Sequence, residues 1–131
     1  RLKVGHRVHL PGHVARPAEV MGLFDLFALS SDSEQFPISV LEAMATRLAI
    51  AAPRVGDVAA MVAAENRALL SAPGDEAGLA AALERLSADP ALRQAIGKAN
   101  RARAEAEYDE AAMVSAYARL YSGVLGQPTF P

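Results

Sequence analysis

The run from Phe24 to Asp57, FDLFALSSDSEQFPISVLEAMATRLAIAAPRVGD, decides the fold. It alternates between two patterns. FDLFALSS, over 24–31, is a mostly apolar run stopped by serines, which predicts a strand buried on both faces. Pro37 to Arg47 has helical spacing, with Ile38, Leu41 and Ala45 on one side. LAIAAP (Leu48–Pro53) is a second short buried run, halted by Pro53. Gly56-Asp57 then caps a helix of roughly Val58–Glu65, Asp57 being a good N-cap residue. Strand, helix, strand, helix with turn residues at each switch is the pattern of a parallel sheet in an α/β domain.

The flanks extend this pattern and then end it. Upstream, Arg7 to Leu10 reads as a strand closed by Pro11-Gly12, and residues 17–23 as a short helix with Pro17 in its first turn. Downstream, ALLSAPGD gives a strand, a Pro-Gly turn and Asp75 as the cap of a long Ala/Leu helix reaching about Ala88. After Asp89-Pro90 the strands stop. Residues 90–107 and 109–125 predict two consecutive helices. The second has Met113, Tyr117, Leu120 and Tyr121 at helical spacing, with Tyr117 and Tyr121 expected to pack against the sheet domain. One domain over 1–126 and a loose tail over 127–131 follow, the domain being Rossmann-like and closed by two C-terminal helices.

Bulk properties exclude several classes. The 131 residues suffice for one core, and 52% are hydrophobic with few aromatics, so that core is built from Ala, Val, Leu and Ile. A formal charge of −2 gives no support to a nucleic-acid or membrane-surface partner. Without cysteine there are no disulfides or thiolate metal sites. His6, His9 and His13 span a strand and a turn, where their spacing does not converge ligands, so no metal is expected. KANRARAEAEYDE reads as a solvated helix laced by Glu/Arg pairs. No apolar run has the length of a membrane span, which makes the expected location cytoplasmic, or peripheral to a membrane in a longer protein. The start at Arg1 suggests a piece of a longer polypeptide. Abundant Ala and Arg, with Lys3 and Lys98 as the only lysines, suggest a GC-rich bacterial source.

The candidate site lies in the junction ALSSDSEQFPISVLEAM. Ligands of parallel α/β sheets sit beyond the carboxyl ends of the strands, where loops enter helices. Pro37 suits the first helical position and leaves the amides of Ile38 and Ser39 as free donors. With the positive end of the helix dipole these suit a phosphate, and the Ser39 hydroxyl can add a donor. Glu42 lies about 7–8 Å further along the axis and leans back toward the mouth. Glu34, in the loop, faces the opposite end of the same ligand. An acid at each end and a phosphate cradle between them fit a nucleotide sugar.

Glu34 and Glu42 form an E-x7-E pair within EQFPISVLEAM, followed by a short strand and VGD. This resembles the donor-binding, C-terminal half of retaining GT-B glycosyltransferases of family 4. FDLFALSS, ALLSAPGDEAGLAAALERLSADPALRQAIGKANRARAE and YARLY resemble that family's strand, PGD turn with following helices, and closing helix. The resemblance implies that Glu42 binds the ribose hydroxyls and that Glu34, the candidate catalytic residue, contacts the transferred sugar near its anomeric carbon. It implies that the backbone around Phe36, Pro37, Ile38 and Ser39 holds the sugar and distal phosphate. Gly12 and Val14 match the region lying against the nucleobase, and Gly56 lies near the donor mouth. The implied reaction is transfer with retention and without metal or cofactor, the nucleotide-diphosphate sugar being the donor substrate. A non-catalytic nucleotide- or partner-binding module and a sugar-nucleotide epimerase of related fold are the alternatives.

The chain departs from that pattern in three ways. Arg47-Leu48-Ala49 stands where the family commonly shows Gly-x-Pro, so the turn after the helix lacks a permissive glycine. Pro37 stands where glycine is frequent. Two strand–helix units with phosphate-binding Arg and Lys, and the N-terminal acceptor domain, have no counterpart here. The absent strands would lie between RVHL and FDLFALSS, so exposed strand edges are expected, covered by rearrangement or by self-association with another copy, and the missing N-terminal acceptor domain is a further expected partner. The segment alone is expected to be inactive.

Overall fold

Five small or apolar residues, Ala49–Pro53, form a strand (β2) buried along its whole length. Parallel to it run β1 (Leu26–Ala28) on one side and β3 (Leu70–Ser71) on the other, in the order β1-β2-β3. The computed structural model describes residues 3–126. Its helices are α1 (Pro17–Met21), α2 (Ile38–Ala45), α3 (Val58–Met61), α4 (Glu76–Ala88), α5 (Pro90–Glu107) and α6 (Glu110–Leu125), with 3-10 turns at Gly5–Arg7 and Ala64–Leu69. The expected tail over 127–131 lies outside the described residues.

Alternation along β2 divides the core into two. Ile50 and Ala52 point to the face covered by Val40, Met44, Val58 and Met61 of α2 and α3. Ala49 and Ala51 point to the other face, against Ala82 and Leu86 of α4 and Ile96 of α5. A period of two along the strand thus buries both faces, giving an α/β/α sandwich. Asp75, Asp89 and Asp109 cap α4, α5 and α6 by accepting from the amides of Gly78, Leu92 and Ala112 at 2.8, 2.9 and 2.9 Å.

Two buried asparagines complete the sheet. β3 pairs only with Ala52 and Pro53, so the earlier part of β2 lacks a neighbour on that side. The side-chain amide of Asn66 stands in for one. It donates to Ile50 O at 2.7 Å and accepts from Ile50 N at 2.9 Å, as a paired strand residue would. Asn100 of α5 donates to Leu48 O at 2.9 Å and to Asn66 Oδ1 at 2.8 Å, and accepts from Ala63 N at 3.0 Å. Both are completely buried.

Several expectations need correction. Arg7 to Leu10 is no strand: Arg7 ends a 3-10 turn and Leu10 is 90% exposed. An extended segment with no ladder partner does not satisfy its backbone groups as a strand would. FDLFALSS is not buried on both faces. β1 covers only Leu26–Ala28 with burial no better than intermediate, because it pairs with β2 alone among the described residues. On α2 the inward stripe is Val40, Ala43 and Met44, and Ile38 is exposed. The helix after Gly56-Asp57 stops at Met61 and passes through Val62 into the 3-10 turn. Asp57 holds the N-cap position without a side-chain bond, since at φ −88° and ψ 4° its backbone lies in the bridge region rather than extended. Tyr117 and Tyr121 do not pack on the sheet: α6 buries no residue, and the two rings lie 6.4 Å apart.

The Glu/Arg lacing of α5 is present, with Arg101–Glu105 at 2.7 Å and Arg103–Glu107 at 2.9 Å. Both arginines also reach neighbouring elements: Arg101 donates to Ala45 O, and Arg103 to Met61 O and Ala60 O. No helix among the described residues is long and apolar enough to cross a membrane.

The turn lacking glycine is made by Arg47 itself, at φ 65°. Arg47 N donates to Met44 O and Leu48 N reaches back to Ala43 O, both at 3.0 Å, so the end of α2 is closed by a left-handed residue that carries a side chain. Arg47→Gly is expected to raise stability by about 0.5–1 kcal/mol, relief of the left-handed penalty outweighing the added chain entropy. Urea denaturation of the two forms measures it; a loss of stability contradicts this account of the turn.

Candidate functional site

The loop from β1 to α2 and the loop from β2 to α3 leave the sheet at the carboxyl ends of adjacent strands, and they are locked together there. Asp57 N donates to Gln35 O at 2.7 Å. Gly56 has φ +50°, and a Cβ on it would stand 2.8 Å from the Glu34 carbonyl carbon and closer still to the carbonyl oxygens of Glu34 and Gln35. The backbone that presents Glu34 therefore rests directly on a glycine. Only a residue without a side chain permits that approach.

The first turn of α2 is open. Pro37 is buried and occupies the N-cap position with ψ 107°, one residue earlier than expected, and no side chain caps the helix. Val40 N bonds back to Pro37 O at 3.0 Å. The amides of Ile38 and Ser39, immediately before it, belong to the group of helix-start donors that the helix itself cannot satisfy. Ser39 is half-buried, and the Ile38 side chain is 59% exposed.

Glu34 and Glu42 are both half-buried, one in the loop and one in α2. Neither carboxylate has an ion pair or a side-chain hydrogen bond among the described residues. A partly desolvated carboxylate with unfilled lone pairs is a strong acceptor for hydroxyl groups. Phe36 presents its ring to Tyr108, at the end of α5, with centroids 5.8 Å apart and planes tilted by 58°. Its side chain thus anchors the loop to the helical layer while its backbone stays at the mouth. Tyr108 went unnoticed in the sequence; the signal was an aromatic at a helix end, EYDE, outside any periodic stripe.

Gly12 and Val14 stand apart from this group, in the exposed segment before α1. Gly12 has φ +76° and open space around it. His6, His9 and His13 are all exposed, and among the described residues no three His, Asp or Glu side chains gather as a metal would require.

A three-stranded parallel sheet, helices on both faces, and loops converging at the strands' carboxyl ends define a Rossmann-like domain of the GT-B kind. Residues 1–103 match the model of the glycosyl transferases group 1 family, and the chain belongs to that family. It is similar to N-acetyl-alpha-D-glucosaminyl L-malate synthase of Bacillus anthracis, with 29% identity over 95% of this chain and 32% of the relative. Among solved structures it resembles sucrose-phosphate synthase from Thermosynechococcus elongatus. The TM-score is 0.87 at 30% identity, over 94% of this chain and 31% of the other. The chain thus spans about a third of the length of the relatives it matches.

Gly56→Ala is expected to destabilise the fold by about 2 kcal/mol or more, since a Cβ there meets backbone and the φ is strained. Amide exchange should accelerate locally at Glu34–Phe36. Unchanged stability and protection would mean that the loop does not depend on that approach.

Proposed function

We propose that this segment binds the nucleotide-diphosphate sugar of a retaining hexosyltransferase. The observation that carries the reading is the pair of half-buried carboxylates, Glu34 and Glu42, unpartnered among the described residues, on either side of an uncapped helix start. The amides of Ile38 and Ser39, with the helix dipole, take the diphosphate. They stabilise the charge that develops on the leaving group, so no metal is called on. Glu42 holds the ribose hydroxyls. Glu34 holds hydroxyls of the sugar near its anomeric carbon, where it orients the ring for displacement on the face that the diphosphate leaves. Backbone at Phe36 and Pro37 lies along the sugar, and Gly56 keeps the loop in place. Gly12 and Val14 belong to the nucleobase side. The acceptor comes from a further domain of the longer enzyme, consistent with relatives about three times as long.

Calorimetric titration with a panel of nucleoside diphosphates compares Glu42→Ala with wild type in the complete transferase. If Glu42 grips a ribose through charge-assisted bonds, its loss costs about 1.5–3 kcal/mol of affinity. Glu34→Gln is expected to lower the transfer rate while leaving nucleoside diphosphate affinity unchanged. Equal affinities for wild type and Glu42→Ala would contradict the assignment.

A further inference from the structure

A cavity of about 470 Å3 lies between β3 and α4, away from Glu34 and Glu42. Its size falls in the range of small-molecule sites. Much of its wall is small, with Ala68, Ala72, Gly78, Ala81 and Ala82, so the space is not filled by side chains. Arg54 and Arg85 line it from two different elements, the end of β2 and the last turn of α4.

Arg16, Arg93, Arg101 and Arg103 each have a carboxylate partner. Arg54 and Arg85, like Arg7, Arg47, Arg67 and Arg119, have none among the described residues, although the chain holds 15 acids against 13 bases. Arg54 makes one long contact, Nη2 to Arg67 O at 3.4 Å, which leaves most of its fork open. Asp75 also lines the cavity, but its Oδ1 is engaged by Gly78 N as the cap of α4.

A third donor is independent of the arginines. Ser71 is only 8% exposed and lines the same cavity, and its Oγ, itself sealed from solvent, has no hydrogen-bond partner among the described residues. Its side chain faces α4, the Cβ lying 3.2 Å from where a Cβ on Gly78 would stand. A buried hydroxyl without a partner is uncommon in folded proteins and calls for a missing acceptor.

We propose that this cavity is a second anion site, taking a small phosphomonoester between the guanidinium groups of Arg54 and Arg85, with the Ser71 hydroxyl turning toward it as third donor. Three donors carried on three elements suit a tetrahedral dianion better than a planar carboxylate. The cavity leaves room beside the phosphate for a short polyol. This site is separate from the donor reading and stands without it.

Amide NMR titration of the 131-residue chain with glycerol 3-phosphate tests the proposal, with inorganic phosphate and succinate as comparisons. Saturable shifts at Ser71, Gly78 and Ala82 are expected. Arg54→Gln and Arg85→Gln should each weaken binding about tenfold, while Arg119→Gln on α6 leaves it unchanged. Ser71→Ala should raise the melting temperature of the free chain, by removing an unsatisfied hydroxyl, and weaken glycerol 3-phosphate binding several-fold. Absence of saturation overturns the proposal. So does equal weakening by Arg119→Gln, or tighter binding of succinate than of glycerol 3-phosphate.

Discussion

Everything in this domain is built on one strand whose hydrogen bonds are completed by side chains. β2 is buried from Ala49 to Pro53, and a buried backbone group without a partner costs about 1–3 kcal/mol. β1 satisfies one edge and the two-residue β3 only part of the other. Asn66 closes the gap at Ile50, and Asn100 ties Leu48, Ala63 and Asn66 to α5. The same bonds that complete the sheet also seat the long helix on it. Close packing reinforces them: Gly97 of α5 lies so near the Arg47 carbonyl that a Cβ would collide with it.

From that hub the site follows by short steps. α2 leaves β1 and returns to β2 through the left-handed Arg47, with Arg101 of α5 donating to its last turn at Ala45 O. Both ends of α2 are therefore fixed, one by α5 and one by the loop resting on Gly56. The helix start carries no side-chain cap, and among the described residues Glu34 and Glu42 have no side-chain partner. Rigid support outside and unfilled polar capacity inside is the arrangement expected where a ligand supplies the missing bonds.

How legible this was in the sequence depended on whether local chemistry or a distant partner decides each feature. The strand–helix alternation and the cap at Asp75 come from neighbouring residues and were readable. Asp57 has the same residue type but not the extended backbone, because its amide is drawn to Gln35. Arg7 to Leu10 has strand composition, yet a strand also needs an adjacent edge. On α2 two stripes fit the helical period, and tertiary packing buried Val40, Ala43 and Met44, kept Leu41 and Ala45 half-buried and left Ile38 exposed. On α6 the period was right, but periodicity marks an apolar face without saying what lies against it. Asn66 and Asn100, 34 residues apart, showed no local sign of their pairing.

The site residues were legible as a set only through the E-x7-E spacing at the start of a helix. The clamp at Gly56 and the ring contact between Phe36 and Tyr108 appear only in three dimensions. The direct measurement is a crystal structure of the complete transferase with a nucleotide-diphosphate sugar. The account predicts the diphosphate on the amides of Ile38 and Ser39, with Glu42 bonded to ribose hydroxyls and Glu34 to the sugar. A diphosphate bound elsewhere, with both carboxylates facing only water, would contradict it.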